Sequence, residues 1–513
     1  RHFCELAASV WNRLGGTALI FDGPRSTPQL SFAVRHCRAT AGVVITASHN
    51  PSHDNGYKVY FADGAQVVYP HAEGIINEVY KVKMSETPAF LDVSLDGVVT
   101  LGQSVDEAYL EALRENLLQP EIFAKSPPRI VFSPIHGTGG VTVPAALLRH
   151  GLEIDTVKEQ MEQDPRFPSV QSPNPENAEA LSMAISQAED SGADIVMATD
   201  PDGDRMGVAV RAPEGGRMQL LSGNMIGSLL AAFRIEHMKE AGFLPPNGSD
   251  RAALIKTFVT TPLQTAIART NGLKVIDTLT GFKWIGEKLQ GYEEELRAAL
   301  LEEEGLGIDY ATTTAAKRRE LLLRHSTYYV FGGEESYGYL ASDQVRDKDA
   351  NAAVLMFAEM AAHLAAEGKS ILDYLDEVYL RYGYYHEDTI SIYYEGASGS
   401  NRIRAILDSY RKEAPSSVAG CEVAEVRDFG TQTLHDADGK EIPKQDFFFL
   451  ELDNGYQYAV RGSGTEPKIK FYFFAREDVS EPGDLGPAKE RAAATLKKLK
   501  EAVEADARKR AGE

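Results

Sequence analysis

Three stretches of the chain repeat one order of hydrophobic and polar positions. A short apolar run over residues 17–22 is followed by an amphipathic stretch at 27–37 and a second apolar run at 42–46. The same order recurs at 129–133, 143–150 and 153–157, and again at 253–259, 262–270 and 273–277. Short apolar runs bounded by turn residues read as buried strands, and the stretches between them carry helical spacing. Strand–helix–strand units joined by short loops predict parallel sheets covered by helices. After about residue 385 the pattern changes. Strands are predicted over 389–394, 447–452, 457–461 and 469–475, and helices over 400–413 and 486–510.

Pro-rich punctuation at Ser126-Pro127-Pro128 and Leu244-Pro245-Pro246-Asn247-Gly248 marks boundaries. The expected fold class is α/β, with three similar mixed-sheet domains at 1–125, 126–245 and 246–385. A smaller C-terminal α+β domain is expected at 386–513. The charged segment 291–324 is expected to be a solvated helical insertion without chemistry.

Formal charge is −22, from 75 acidic and 53 basic residues. This disfavours non-specific binding to nucleic acid or anionic membrane, but not small anionic substrates, which a local cluster of Arg and Lys can hold. The three cysteines, Cys4, Cys37 and Cys421, are odd in number and widely spaced. Neither a disulfide framework nor a zinc site is indicated, and a reduced cytoplasmic compartment is expected. No apolar run reaches the roughly 20 residues that span a bilayer, and no signal peptide is visible. The first residue is Arg, so the numbering is expected to start inside a longer natural chain.

Four loops carry candidate chemistry. Asp200-Pro201-Asp202-Gly203-Asp204-Arg205 follows an apolar strand, and its three alternating carboxylates can converge on one hard cation such as Mg²⁺. An EF-hand is excluded, because Arg205 and Arg211 stand where that loop needs Gly and Glu. Thr46-Ala47-Ser48-His49-Asn50-Pro51 puts Ser48 on an exposed strand end. Neighbouring side chains on extended chain point apart, so a dyad of Ser48 with His49 is not expected. A serine that carries a phosphoryl group needs a nearby cation and in-line access for an acceptor hydroxyl, and the acidic loop could supply the cation. Arg461-Gly462-Ser463-Gly464-Thr465-Glu466-Pro467 combines a guanidinium fork, hydroxyl donors and glycine-freed backbone N–H groups, which suits a monophosphate. Gly332-Gly333-Glu334-Glu335-Ser336 could accept hydrogen bonds from sugar hydroxyls, but of two adjacent glutamates only one is expected to point inward. His136, Lys283 and Lys348 are weaker candidates, since a lone histidine is usually structural and a lone lysine is usually at the surface.

Taken together, these loops resemble those of the α-D-phosphohexomutase superfamily, and within it the phosphoglucomutase/phosphomannomutase-type phosphosugar mutases. TASHNP at 46–51, DPDGDR at 200–205, GEES at 333–336 and RGSGTEP at 461–467 stand in the order of that family's phosphoserine, metal, sugar and phosphate loops. The resemblance spans essentially the whole chain and implies four domains around a central cleft. It implies that Ser48 is the phosphorylated residue, with His49 beside it in the catalytic loop. It assigns Mg²⁺ to Asp200, Asp202 and Asp204, with Ser48 supplying a further oxygen through its phosphate. Arg205 resembles the active-site arginine, and Glu334 and Ser336 the readers of sugar hydroxyls. Arg461, Ser463, Gly464 and Thr465 resemble the grip on the non-reacting phosphate. His136, Lys283 and Lys348 fall in loops that line the cleft, and Lys348 is the one best suited to an acid/base or electrostatic role. The activity implied is isomerisation between sugar 1-phosphate and 6-phosphate through a sugar 1,6-bisphosphate. Glucose is the first choice of sugar, with mannose and pentose behind it, and the molecule is expected to be a monomer or weak dimer. The resemblance also implies a further N-terminal segment with a G-T-x-G-x-R-G-like loop, which is not part of this sequence.

Two rival readings differ in class. Gly137-Thr138-Gly139-Gly140 with Asp155 half-resembles a dinucleotide fingerprint, which would suit a nicotinamide-dependent oxidoreductase, but Thr142 stands where the third glycine belongs. A non-catalytic sugar-phosphate sensor would use the same loops for binding alone.

Overall fold

The computed structural model describes residues 1–213, 216–394, 396–463 and 467–513. Two of its sheets are built alike. In one, the strands run in the order Asp155–Thr156, Ile130–Ser133, Ile195–Thr199, Met206–Arg211 and Met218–Leu220. In the other the order is Leu273–Thr278, Ser249–Thr257, Tyr328–Glu334 and Gly338–Leu340. The first three strands of each are parallel, and the strands beyond them are antiparallel. Parallel pairing therefore holds in the core of each sheet and fails at one edge. The chain leaves Ile195–Thr199 and Tyr328–Glu334 through tight turns. A parallel crossover needs about a dozen residues, so a short turn can only fold the next strand back.

The first unit departs further from the expected pattern. Leu19–Phe21 pairs in parallel with Val99–Leu101, while Ala41–Ile45 forms an antiparallel hairpin with Tyr57–Phe61. Among the described residues no ladder joins the two pairs. The strands on either side of helix Thr27–His36 thus do not share a sheet, because each takes its partner from later in the chain. The helix itself starts as its sequence dictates. Ser26 caps it by accepting from Gln29 N, and Pro28 stands in the first turn.

The last unit is one antiparallel sheet of six strands. Their order is Tyr384–Tyr393, Lys468–Glu477, Gln457–Gly462, Phe447–Leu452, Cys421–Asp428 and Ser417–Val418. Helices Gly396–Lys412 and Pro482–Arg510 accompany it. Phe429, Phe447, Phe449 and Tyr472 of this unit pack with Val259 and Leu279 of the third, so an apolar seam joins the two. Helix Ala350–Ala366 is buried almost all round, as a helix apolar on every face must be.

Segment 291–324 is largely helical, as expected, but only one side of it is solvated. Helix Phe282–Glu304 buries Tyr292, Leu296 and Leu300, and helix Ala315–His325 buries Arg318 and Leu322. Two charges of the segment, Glu293 and Arg318, have partners inside the molecule. Glu293 lies 2.8 Å from Arg35 Nη2 and 2.5 Å from Arg346 Nη2. Arg318 lies between Asp343 at 3.0 Å and Glu115 at 2.8 Å. Among the described residues no helix is long and apolar enough to cross a membrane.

Candidate active site

The buried strand Ile195–Thr199 delivers Asp200 to the end of its sheet. Gly203, at φ +68°, turns the loop back on itself, and Asp200 Oδ1 accepts from the backbone N–H of both Asp204 and Arg205 at 3.0 Å. Asp200, Asp202 and Asp204 are all buried, and one oxygen from each lies within 4.8 Å of the others. Burial and the neighbouring carboxylates push the Asp200 carboxyl well above its usual range, and Asp204 upward as well. Burial acts the same way on Asp202, but Lys58 overrides it and holds that group below the usual range. Asp202 Oδ1 and Asp204 Oδ1 are buried and accept no hydrogen bond from any described residue. Convergent carboxylates with uncommitted oxygens are a fitting donor set for a hard divalent cation.

The loop after Ile130–Ser133 braces this turn. Thr138 donates to Pro201 O from both its N–H (2.8 Å) and its Oγ1 (2.9 Å). A Cβ at Gly137 would lie 2.3 Å from Pro201 Cα, and one at Gly139 would lie 2.2 Å from Thr199 Oγ1. The glycines that suggested a dinucleotide are there to let two protein loops touch. His136 belongs to this bracing. Its Nδ1 is 3.0 Å from Glu162 O and its Nε2 is 2.8 Å from Ser169 Oγ, so neither ring nitrogen is open to the aspartates.

Ser48 reaches the aspartates. Its Oγ donates to Asp200 Oδ2 at 2.8 Å and lies 3.2 Å from His49 Nδ1. Ser48 and His49 meet, against the expectation for extended chain, because Ser48 is not extended. Ser48 has φ +54°, a left-handed conformation that costs about 1–2 kcal/mol. That twist swings the ring back onto its neighbour, and Thr46 Oγ1 steadies it by accepting from Ser48 N at 2.8 Å. Burial, with Arg205, Lys348 and Lys58 adding to it, pushes the His49 pKa down to about 3, so the imidazole is neutral.

Two lysines balance the acids. Lys58 Nζ is 3.2 Å from Asp202 Oδ2, and Lys348 Nζ is 2.8 Å from Asp204 Oδ2 and 3.6 Å from Asp347 Oδ1. Burial opposes the charge on Lys348, but Asp204 and Asp347 outweigh it and raise its pKa. Arg205 donates from Nη1 to Glu176 Oε1 at 2.7 Å.

The sugar-loop candidates lie against the same turn. Met206 N donates to Tyr337 O at 3.0 Å, and Arg205 bridges Gly338. Glu334 is buried and accepts from Gly281 N at 2.8 Å. Glu335 is half-buried and accepts from Thr257 Oγ1 at 3.4 Å. Burial and the charge of Glu334 push its carboxyl up to about 7. Both glutamates therefore turn inward, because the strand ends at Glu334 and its alternation ends with it. Ser336 is half-buried in the turn that follows. Lys283 is half-buried with Nζ 5.2 Å from the Trp284 ring centre, and burial together with Arg461 lowers its pKa. Arg461 stands in the last sheet's strand Gln457–Gly462, and its Nε is buried without a hydrogen-bond partner among the described residues. Ser463 N donates to Lys468 O at 2.9 Å. Gly464 and Thr465 lie outside the described residues.

Known proteins resemble this chain in sequence and in fold. Residues 1–86, 107–215, and 222–314 with 319–382 match the Phosphoglucomutase/phosphomannomutase alpha/beta/alpha domains I, II and III. A phosphoglucomutase of Staphylococcus aureus is 32% identical over 482 residues, which cover 92% of this chain and 79% of the relative. The chain belongs to the phosphoglucomutase/phosphomannomutase family. Solved structures agree on the fold. The Paramecium phosphoprotein pp63/parafusin, a phosphoglucomutase, superposes with TM-score 0.64 at 19% identity, over 97% of this chain and 84% of its own. A family protein from Burkholderia thailandensis gives 0.58 at 17%, over 98% and 92%. The protein is an isomerase of sugar phosphates, within the α-D-phosphohexomutase superfamily.

Within this family member, sequence reasoning missed Lys58, Thr27 and Glu176. Lys58 had a findable signal. The chain after Ser48 folds back as a hairpin, and Val44 pairs with Lys58, so a lysine there returns to the strand end that carries the serine. Thr27 and Glu176 gave none, since they join the site only through tertiary contact.

Proposed function

We propose that the protein interconverts sugar 1-phosphates and 6-phosphates, glucose first, by way of a phosphoryl group carried on Ser48. The reading rests on one observation above the rest: Ser48 Oγ sits 2.8 Å from Asp200 Oδ2, at the edge of three convergent carboxylates. The serine-to-aspartate distance in sequence is large, and the contact has no evident structural purpose on a half-buried serine in a costly backbone conformation. Asp200, Asp202 and Asp204 would hold Mg²⁺, which when bound offsets the negative charge on phosphoryl oxygens.

The P–O bond to Ser48 breaks as a bond forms to the free hydroxyl of a bound sugar monophosphate, giving a sugar 1,6-bisphosphate. The bisphosphate turns over in the cleft and returns its other phosphoryl group to Ser48. The proton leaving the sugar hydroxyl ends on the serine oxygen as the phosphoryl group departs, and neutral His49, 3.2 Å from Ser48 Oγ, is placed to hydrogen-bond that oxygen. Lys348 acts through its charge, because the carboxylates beside it oppose its deprotonation. Arg205, aligned by Glu176, adds positive charge near the transferring group. Glu334 and Ser336 would read sugar hydroxyls, and Lys283 and Arg461 would hold the phosphate that does not react. Ser463, Gly464 and Thr465 complete that grip on the sequence reading. The unpaired state of Cys4, Cys37 and Cys421 fits a reducing compartment, and the cytoplasm is the proposed location.

The test is Ser48→Ala. Turnover of glucose 1-phosphate with Mg²⁺ is expected to fall below detection while calorimetric binding of the sugar phosphate persists. A variant that still isomerises at the parent rate removes the serine from the reaction. A sensor without catalysis would bind the sugar phosphate and convert none of it in the parent protein.

A further inference from the structure

Asp202 is gripped from outside its own unit. Thr27, fully buried at the start of helix Thr27–His36, donates its backbone N–H to Asp202 O at 2.8 Å and its hydroxyl to Asp202 Oδ2 at 3.0 Å. Lys58 Nζ, from the same first unit, reaches that Oδ2 as well, at 3.2 Å. The other oxygen, Oδ1, is buried and takes no hydrogen bond from any described residue. Donors fixed on one oxygen of a carboxylate stop its rotation and set the direction of the other.

The seat is built on both sides. Ser26 Oγ, at the helix cap, accepts from Gln29 N at 3.3 Å and from Asn351 Nδ2 at 3.2 Å, which locks the helix start. The aspartate turn lies flush on it, since a Cβ at Gly203 would come 2.9 Å from Ser26 Cβ. Ala350 N closes the third side by donating to Gly203 O at 3.2 Å.

We propose that Thr27 is a positioning residue for the metal site: its hydroxyl fixes the rotamer that aims Asp202 Oδ1 at the cation. The inference rests on the proposed reading of the three aspartates as metal ligands. It follows that cation affinity is set in part by the unit that carries Ser48, so the cation is held well only when the first and second units are in register. Groups behind a ligand commonly control metal affinity by about 10–100-fold.

Thr27→Val keeps the shape and removes the donor, and Thr27→Ser restores the donor. Mn²⁺ binding to the metal-free full chain is read by calorimetry, and Mg²⁺ activation by the mutase assay. Thr27→Val is expected to bind Mn²⁺ about tenfold more weakly and to need about tenfold more Mg²⁺ for half-activation. Its kcat is expected to recover at saturating Mg²⁺, and Thr27→Ser to track the parent. Should Thr27→Val not fold, Thr27→Ala carries the same comparison. Parent-like Mn²⁺ affinity without the hydroxyl overturns the inference, and so does a kcat that stays low at saturating Mg²⁺. Asp202→Asn separates the two levels. If it binds Mn²⁺ as the parent does, the metal reading fails and the inference goes with it. If it loses Mn²⁺ while Thr27→Val does not, only the inference fails.

Discussion

At the residue scale the centre of this site is a serine held in left-handed conformation between a neutral histidine and a buried aspartate. Ser48 and the three aspartates were legible as candidates because they stand in compact motifs, whereas the contact between Ser48 and His49 was not. Whether neighbouring side chains meet depends on one backbone angle, and residue type alone does not give that angle for a serine. Glu176 shows a second limit. It has meaning only through Arg205, which lies 29 residues away in the chain. Glu176→Gln is expected to lower kcat by about tenfold with little change in KM, since the charge-assisted bond that aligns Arg205 is lost while sugar contacts stay. Steady-state kinetics on glucose 1-phosphate checks this. A third residue bears on stability alone. Glu359 accepts from Leu118 N and Gln119 N, and burial pushes its carboxyl up to about 7 from an ordinary 4.5. The folded state therefore holds its proton more tightly than the unfolded chain does. Stability from this group falls as pH rises from about 4.5 through about 7 and is lost above that window. Relative to the parent, Glu359→Gln should gain about 1–3 kcal/mol between pH 5 and pH 8, measured by denaturant unfolding at each pH.

At the element scale, apolar runs located most strands, and the turns between them decided how the strands pair. The loops 200–205 and 335–337 are too short for a crossover, so the sheets gain antiparallel edges at the loops that carry candidate site residues. The strand Cys421–Asp428 gave little signal. It lies toward the sheet's edge, buries only Asp428, and carries charged residues through its length, as strands near an edge often do. Segment 291–324 misled for the opposite reason. Its charges suggested solvent, but Glu293 and Arg318 pair with residues of distant segments, and no local pattern shows that. The glycine loop at 137–140 behaves as a spacer between elements. Gly137→Ala would drive a Cβ to 2.3 Å from Pro201 Cα. Relief of that overlap is expected to cost about 1–3 kcal/mol and to shift the aspartate turn. Denaturant unfolding should show the loss, and Mn²⁺ titration should show weaker binding.

At the scale of the whole molecule, the first three units meet at the aspartate turn, and the positive charge of Arg461, on the last unit, helps to lower the pKa of Lys283. That last unit is tied to the third by the apolar seam around Phe447 and by a polar joint. Asp438 accepts from Lys274 at 3.0 Å, Lys288 at 3.0 Å and Tyr292 at 2.7 Å, and Asp436 pairs with Lys288. Asp438→Ala takes the acceptor from Tyr292 and leaves Lys288 with Asp436 and Lys274 with Thr327. A looser last unit, a larger radius of gyration in X-ray scattering and a KM for glucose 1-phosphate raised several-fold are expected, with kcat less affected. The order of the four loops along the chain made the family legible, and the meeting of three of them in space is what the fold adds.

The central claim is that Ser48 carries the phosphoryl group. Intact-mass measurement, with peptide mapping, on the protein incubated with Mg²⁺ and a hexose 1,6-bisphosphate tests it most directly. One added phosphoryl group is expected on Ser48, lost again on exposure to sugar monophosphate, with no addition in Ser48→Ala. An unmodified Ser48 in a protein that is turning over substrate would contradict it.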